Sequence, residues 1–155
     1  LITLGMFGLL LGLGSAVALT LLRTGVRVAS VQTYYLGSSA TTPGEQISDL
    51  DQSLVITQPR PVAELAEVTH LHLMGGSLLL FLLCHLLSVC DVDDRLRAGL
   101  YAISFCSFLA TFGSPWLIVF VAPGFAHLYG AAIITLIVSL TVLCLIPLRE
   151  MWWTK

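Results

Sequence analysis

Charge is scarce in this chain: seven basic and nine acidic residues among 155 leave a formal net charge of -2. The few charges sit between apolar runs and form no basic patch, so nucleic acid is excluded as a partner. CxxC pairs are missing as well. Cys84, Cys90, Cys106 and Cys144 lie in or at the ends of apolar runs, and read as small buried hydrophobes instead of a disulfide or zinc framework. There is no Ser/His/Asp or Cys/His nucleophile set, no glycine-rich phosphate loop and no pair of intramembrane carboxylates. Hydrolase, nucleotide-binding and carboxylate-driven pump chemistries therefore lack the residues they need. No methionine precedes Leu1, which implies a short missing N-terminal piece, and the opening run is too long and too glycine-patterned for a simple cleaved signal peptide.

What remains is apolar. Hydrophobic residues make up 57% of the chain and the mean hydropathy is +0.94, the composition of a polytopic membrane protein. A hydrocarbon core of roughly 30 Å needs about 20 apolar helical residues. Four stretches meet that length, at about 2–22, 61–89, 98–121 and 125–146. The predicted fold is all-α, a single membrane domain with four transmembrane helices in an up-down bundle.

The first span carries Gly5, Gly8, Gly12 and Ala16 at three- and four-residue intervals, a ridge expected to pack against a neighbouring backbone. Residues 23–60 read as one long polar surface loop, too polar for the bilayer and too short for its own core. Within it, Thr42, Pro43 and Glu45 have capping-box spacing and predict a short helix from Pro43 to about Leu50. Tyr34 and Tyr35 suit the headgroup level. Gly113, Ser114 and Pro115 should kink the third span, and Pro147 ends the fourth. Arg95, Arg97, Arg149 and Lys155 outnumber Arg23, Arg27 and Arg60 across the membrane. This places the termini in the cytoplasm and the long loop in the periplasm of a bacterial inner membrane.

Three of the four histidines lie on the second span, EVTHLHLMGGSLLLFLLCHLLSV, and intramembrane histidines mark ligands, proton paths or buried partners. His70, His72 and His127 fall at one depth, near the long-loop side; His85 lies about 20 Å deeper than His72 at 1.5 Å per residue. Imidazoles from two facing helices are what a bis-histidine haem b needs. His70 and His72 point about 200° apart on a regular helix, so only one of them can face the centre. His72 is followed by Gly75 and Gly76, and His127 by Gly130 and Ala131, empty volume beside each imidazole where a macrocycle could lie. His72 and His127 are thus the expected iron ligands, with His70 the alternate. His85 is a second-site candidate whose only available thioether partner is Met6. A copper or zinc site from His70, His72 and His127 is the competing ligand reading. A quinone head group fits the same depth, with Ser114 and Tyr129 as further hydrogen-bonding groups.

The four-span layout with histidines on two helices resembles the small membrane cytochrome b subunits that anchor redox complexes and exchange electrons with quinone. With one histidine on the fourth helix, the chain departs from the two-haem pattern of that group. The resemblance implies a non-catalytic subunit of a bacterial redox complex, partnered by other membrane subunits and by c-type cytochromes. The stretches EVTHLHL, SPWLIVFVAPGFA and PLREMWW separately resemble a set of small four-helix bacterial membrane proteins, which implies no activity. The alternative class is a cofactor-free structural subunit.

Overall fold

The computed structural model describes residues 2–37 and 58–153; the helix expected at Pro43–Leu50 lies outside them. Five α-helices follow in order: α1 (Ile2–Arg23), α2 (Val28–Leu36), α3 (Val62–Ser88), α4 (Asp94–Phe120) and α5 (Ala126–Trp153), with a 3₁₀ turn at Pro123–Phe125 before α5. Four of them, at Ile2–Arg23, Val62–Ser88, Asp94–Phe120 and Pro123–Trp153 with its leading turn, are long and apolar enough to cross a membrane.

Each departure from expectation has a physical cause. α4 begins four residues early because the Asp93 carboxylate accepts from the Arg95 and Leu96 amides, an N-cap hidden inside an acidic turn. Helix α2 lies within the predicted loop. It has no side-chain cap and ends at Gly37, whose φ of 81° suits glycine. Its Val31 is fully buried with Ile118, Ala126, Tyr129 and Ile133, so tertiary burial holds it in place. Pro115 sits inside a continuous α4, and the Thr111 carbonyl that its missing amide leaves free accepts the Ser114 hydroxyl at 3.4 Å. Pro147 does not end α5, which runs on to Trp153.

α4 and α5 form the most extensive helix pair. Ser104, Ser107, Thr111 and Ser114 are all buried along α4. Ser107 and Thr111 donate back to carbonyls of their own helix, at 3.1 and 2.7 Å. Such back-bonded hydroxyls act as small side chains that let helices approach. The glycine ridge of α1 does not do this work. A Cβ built on Gly5, Gly8 or Gly12 meets nothing within 4 Å, and Met6 is the one buried residue of α1.

The turn between α3 and α4 is tied down by Arg97. One guanidinium nitrogen donates to the Cys90 and Val92 carbonyls at 3.0 Å each, and the other to Asp94 at 2.7 Å. Glu150 of α5 accepts from the Asp91 amide at 2.9 Å. Burial first, and then a hydrogen bond to the Glu150 carboxylate, push the Cys90 thiol up to about 11. The thiolate is the nucleophile, so below that range Cys90 is a poor one. Iodoacetamide at pH 7.5 should label Cys90 about two orders of magnitude more slowly than a free thiol of ordinary pKa about 8.5. Labelling should accelerate toward pH 11, read by mass spectrometry of the Cys90 peptide. Labelling at the rate of free cysteine at pH 7.5 would contradict the buried, carboxylate-paired setting.

Candidate functional site

α3 presents one stripe to the bundle. Leu65, Leu80, Leu83 and Leu87 are buried on it and Thr69 and Gly76 half-buried, at the three- and four-residue spacing of one helix face. His72 belongs to this stripe and is exposed because a cleft opens beside it. The cleft has a volume of about 550 Å³, within the range of ligand pockets. Its outer wall is α1, where Gly8, Gly12 and Ala16 face it. Leu80, Leu83, Leu136 and Cys144 line its apolar depth. The α1 wall from Gly8 to Arg23 extends about 22 Å at 1.5 Å per residue, so the space is long and narrow.

One end of the cleft is polar. Arg23 at the end of α1, Thr24 just after it, Tyr34 and Tyr35 of α2, and Arg60 and Glu64 around the start of α3 gather there. Arg60 pairs with Glu64, stands 4.2 Å over the Tyr34 ring, and donates its amide to the Tyr35 carbonyl at 3.3 Å. Tyr35 meets Tyr129 edge to face with ring centroids 6.0 Å apart. Burial, and next the neighbouring Tyr129, hold the Tyr35 hydroxyl well above the ordinary tyrosine range, so it stays protonated. Thr69 accepts from Trp116 Nε1 at 3.0 Å and donates to the Leu65 carbonyl at 2.7 Å, which uses both functions of its hydroxyl.

His72 is held from two sides. Its Nδ1 is 2.7 Å from the Val68 carbonyl, and its ring stacks on Phe112 with centroids 4.8 Å apart. Phe112 packs edge to face on Phe108 at 5.2 Å, and Phe108 fills the space over Gly76.

The other predicted site residues go elsewhere. His70 and His85 lie on the outward face of α3 with Met74, Leu78 and Phe81, all exposed, and His85 stacks on Phe81 at 6.2 Å. His127 shares the outward face of α5 with Ala131, Ile134 and Val138. That helix turns Ala126, Tyr129, Gly130 and Ile133 inward, so His127 does not line the cleft or face His72 across a ring. Nor are the glycine spaces vacant for a macrocycle beside both imidazoles. The Phe108 ring fills that at Gly76, the Val26 carbonyl lies 3.3 Å from a Cβ at Gly130, and Gly75 is exposed. Among the described residues no three of His, Cys, Asp and Glu form a metal-holding group, which leaves the copper or zinc trio unassembled. Met6 is buried in the apolar cluster with Leu83 and Leu87, on the opposite side of α3 from His85. Of the two quinone candidates, Tyr129 lines the cleft, whereas Ser114 is buried in α4 against its own helix. Arg60, Glu64 and Thr69 were legible as polar positions but became site residues only through α1 and α2.

Four membrane-length apolar helices define an integral membrane protein. Residues 25–155 match the Aq_1264_TM family, a transmembrane helical domain, and the chain belongs to that family. No curated protein and no solved structure matches it. The matched region covers α2 to α5, while α1, the outer wall of the cleft, precedes it.

Proposed function

We propose that the protein is a non-catalytic subunit of a bacterial inner-membrane redox complex that receives an isoprenoid quinone in the cleft between α1 and the α3–α5 bundle. The observation that carries this reading is the cleft itself: an apolar slot of about 550 Å³ lined by α1, α3, α4 and α5, with tyrosines and arginines at one end and His72 on its α3 wall. A ligand with a long apolar tail and a small polar head matches it in length and polarity. With the helices running up and down and the termini in the cytoplasm, as the arginine distribution favours, the polar end faces the periplasm. Electrons would then pass between the hydroquinone form of this ligand and a partner subunit of the complex, such as a c-type cytochrome.

A haem b held by His72 and His127 lacks the facing geometry it needs within this chain. Two axial imidazoles on one iron require facing side chains, and His127 lies on the outward face of α5. A haem bound at His127 would need its second ligand from a partner subunit. A dithionite-reduced minus oxidised spectrum of the purified complex reads haem directly.

The quinone reading is tested by purifying the protein in mild detergent, extracting it with organic solvent and quantifying quinone by mass spectrometry. About one quinone per chain is expected, and Gly12→Phe should remove most of it. A Cβ at Gly12 meets no neighbour within 4 Å and Gly12 lines the cleft, so the added ring competes for the space the ligand would fill. Quinone no more abundant with the wild type than with Gly12→Phe would leave the structural-subunit reading in its place.

A further inference from the structure

We infer that the head group beside His72 is a hydroxyl donor, so that the cleft selects the reduced, hydroquinone form of its ligand over the oxidised quinone. The inference rests on the quinone reading of the cleft and adds the redox state and the recognising atom. A backbone carbonyl can only accept, so at 2.7 Å from the Val68 oxygen the His72 Nδ1 must carry the proton. In the neutral imidazole this leaves Nε2 with a lone pair and no proton. Nε2 has no hydrogen-bond partner among the described residues, and His72 lines the cleft.

Rotation that would exchange the two nitrogens is opposed by the same contacts. It would break the bond to Val68 and turn the ring against Phe112, which is itself set by Phe108. Neighbouring groups do not reverse the preference at this position. Thr69, one turn away, has its hydroxyl proton committed to Leu65 and its oxygen to Trp116, and Arg60 is paired with Glu64. A quinone carbonyl presented to His72 would set one acceptor against another. A hydroquinone hydroxyl donates into the lone pair, and an acceptor left without a donor costs more than the bond gains when made. His72 is thus a binding and positioning residue. Tyr129 also lines the cleft, with its hydroxyl engaged by Tyr35 and Thr24.

The test uses the full chain in lipid nanodiscs under anaerobic conditions, with decyl-benzoquinol and decyl-benzoquinone as probes and calorimetry as the readout. The wild type should bind the quinol about fivefold to tenfold more tightly than the quinone. His72→Phe keeps a ring on Phe112 and removes the acceptor; it should abolish the preference by weakening quinol binding while quinone affinity stays within about twofold. His72→Gln, which restores an acceptor oxygen, should recover part of the preference. Equal affinity of the wild type for both probes, or equal loss of both in His72→Phe, overturns the inference and leaves the quinone site standing. Failure of both probes to bind, or binding unchanged by Gly12→Phe, overturns the quinone reading itself.

Discussion

Replacing Gly76 by alanine is expected to lower the thermal unfolding midpoint of the detergent-solubilised protein by several degrees, whereas Gly8→Ala and Gly12→Ala leave it unchanged or slightly higher. The substitution is the same in each case and the surroundings decide its sign. Alanine is favoured over glycine in a helix interior by about 1 kcal/mol, and at Gly8 and Gly12 nothing opposes that gain, because a Cβ there finds open space. At Gly76 the new methyl would lie 2.9 Å from Phe108 Cζ and closer still to Cε2. Phe108 is 5% exposed and its ring abuts Phe112, so it cannot withdraw without moving Phe112 and, through it, the His72 ring. Overpacking of this kind costs about 1–3 kcal/mol, enough to outweigh the helix gain. The quinol preference should shrink in the same variant. A Gly76→Ala protein as stable as the wild type would mean that Phe108 does not sit over the glycine.

Met6→Ala is expected to release α1 from the bundle. Met6 is 1% exposed and packs in the cluster with Leu80, Leu83, Leu87 and Leu143, while Leu4 and Leu11 on the same helix are 75% and 77% exposed. In a bilayer the released surface meets lipid tails as apolar as the core, so the water-transfer part of a truncation cost disappears. What remains is lost packing and the cavity, toward the low end of the usual range, about 2 kcal/mol. For a helix with no other buried residue, that loss is decisive. Hydrogen exchange should rise along α1 and stay unchanged in α4 and α5, and quinone should be lost on purification. Leu4→Ala and Leu11→Ala should leave both readouts at wild-type values. Unchanged exchange in Met6→Ala would show that some other contact holds the outer wall of the cleft.

Several features were legible because their physics is local. Span lengths follow from bilayer thickness, and the four helices appear where about 20 apolar residues run together. The opposition of His70 and His72 follows from 3.6 residues per turn, and the structure puts them on opposite faces, with His72 on the stripe of Leu65, Leu80 and Leu83. Two departures share another origin. The ridge of Gly5, Gly8, Gly12 and Ala16 shows that one face of α1 is small but not what lies against it; packing left a cleft there. His127 shares a depth with His72, yet depth is set along the chain and facing is set by the neighbours of the helix. Helix α2 was invisible for a related reason: its nine residues hold no strong signal, and the groove that buries Val31 belongs to α4 and α5.

By itself the sequence determined the class, the number of membrane-length apolar helices and their approximate places, and that His70 and His72 lie on opposite faces of α3. The tertiary structure alone decided which faces meet, and with them the cleft, its polar end and the outward turn of His127. In water an inward face is apolar and an outward face polar, so periodicity in hydropathy orients each helix. In lipid both faces are apolar, that contrast vanishes, and rotation about the helix axis is left to side-chain shape at contacts between distant parts of the chain.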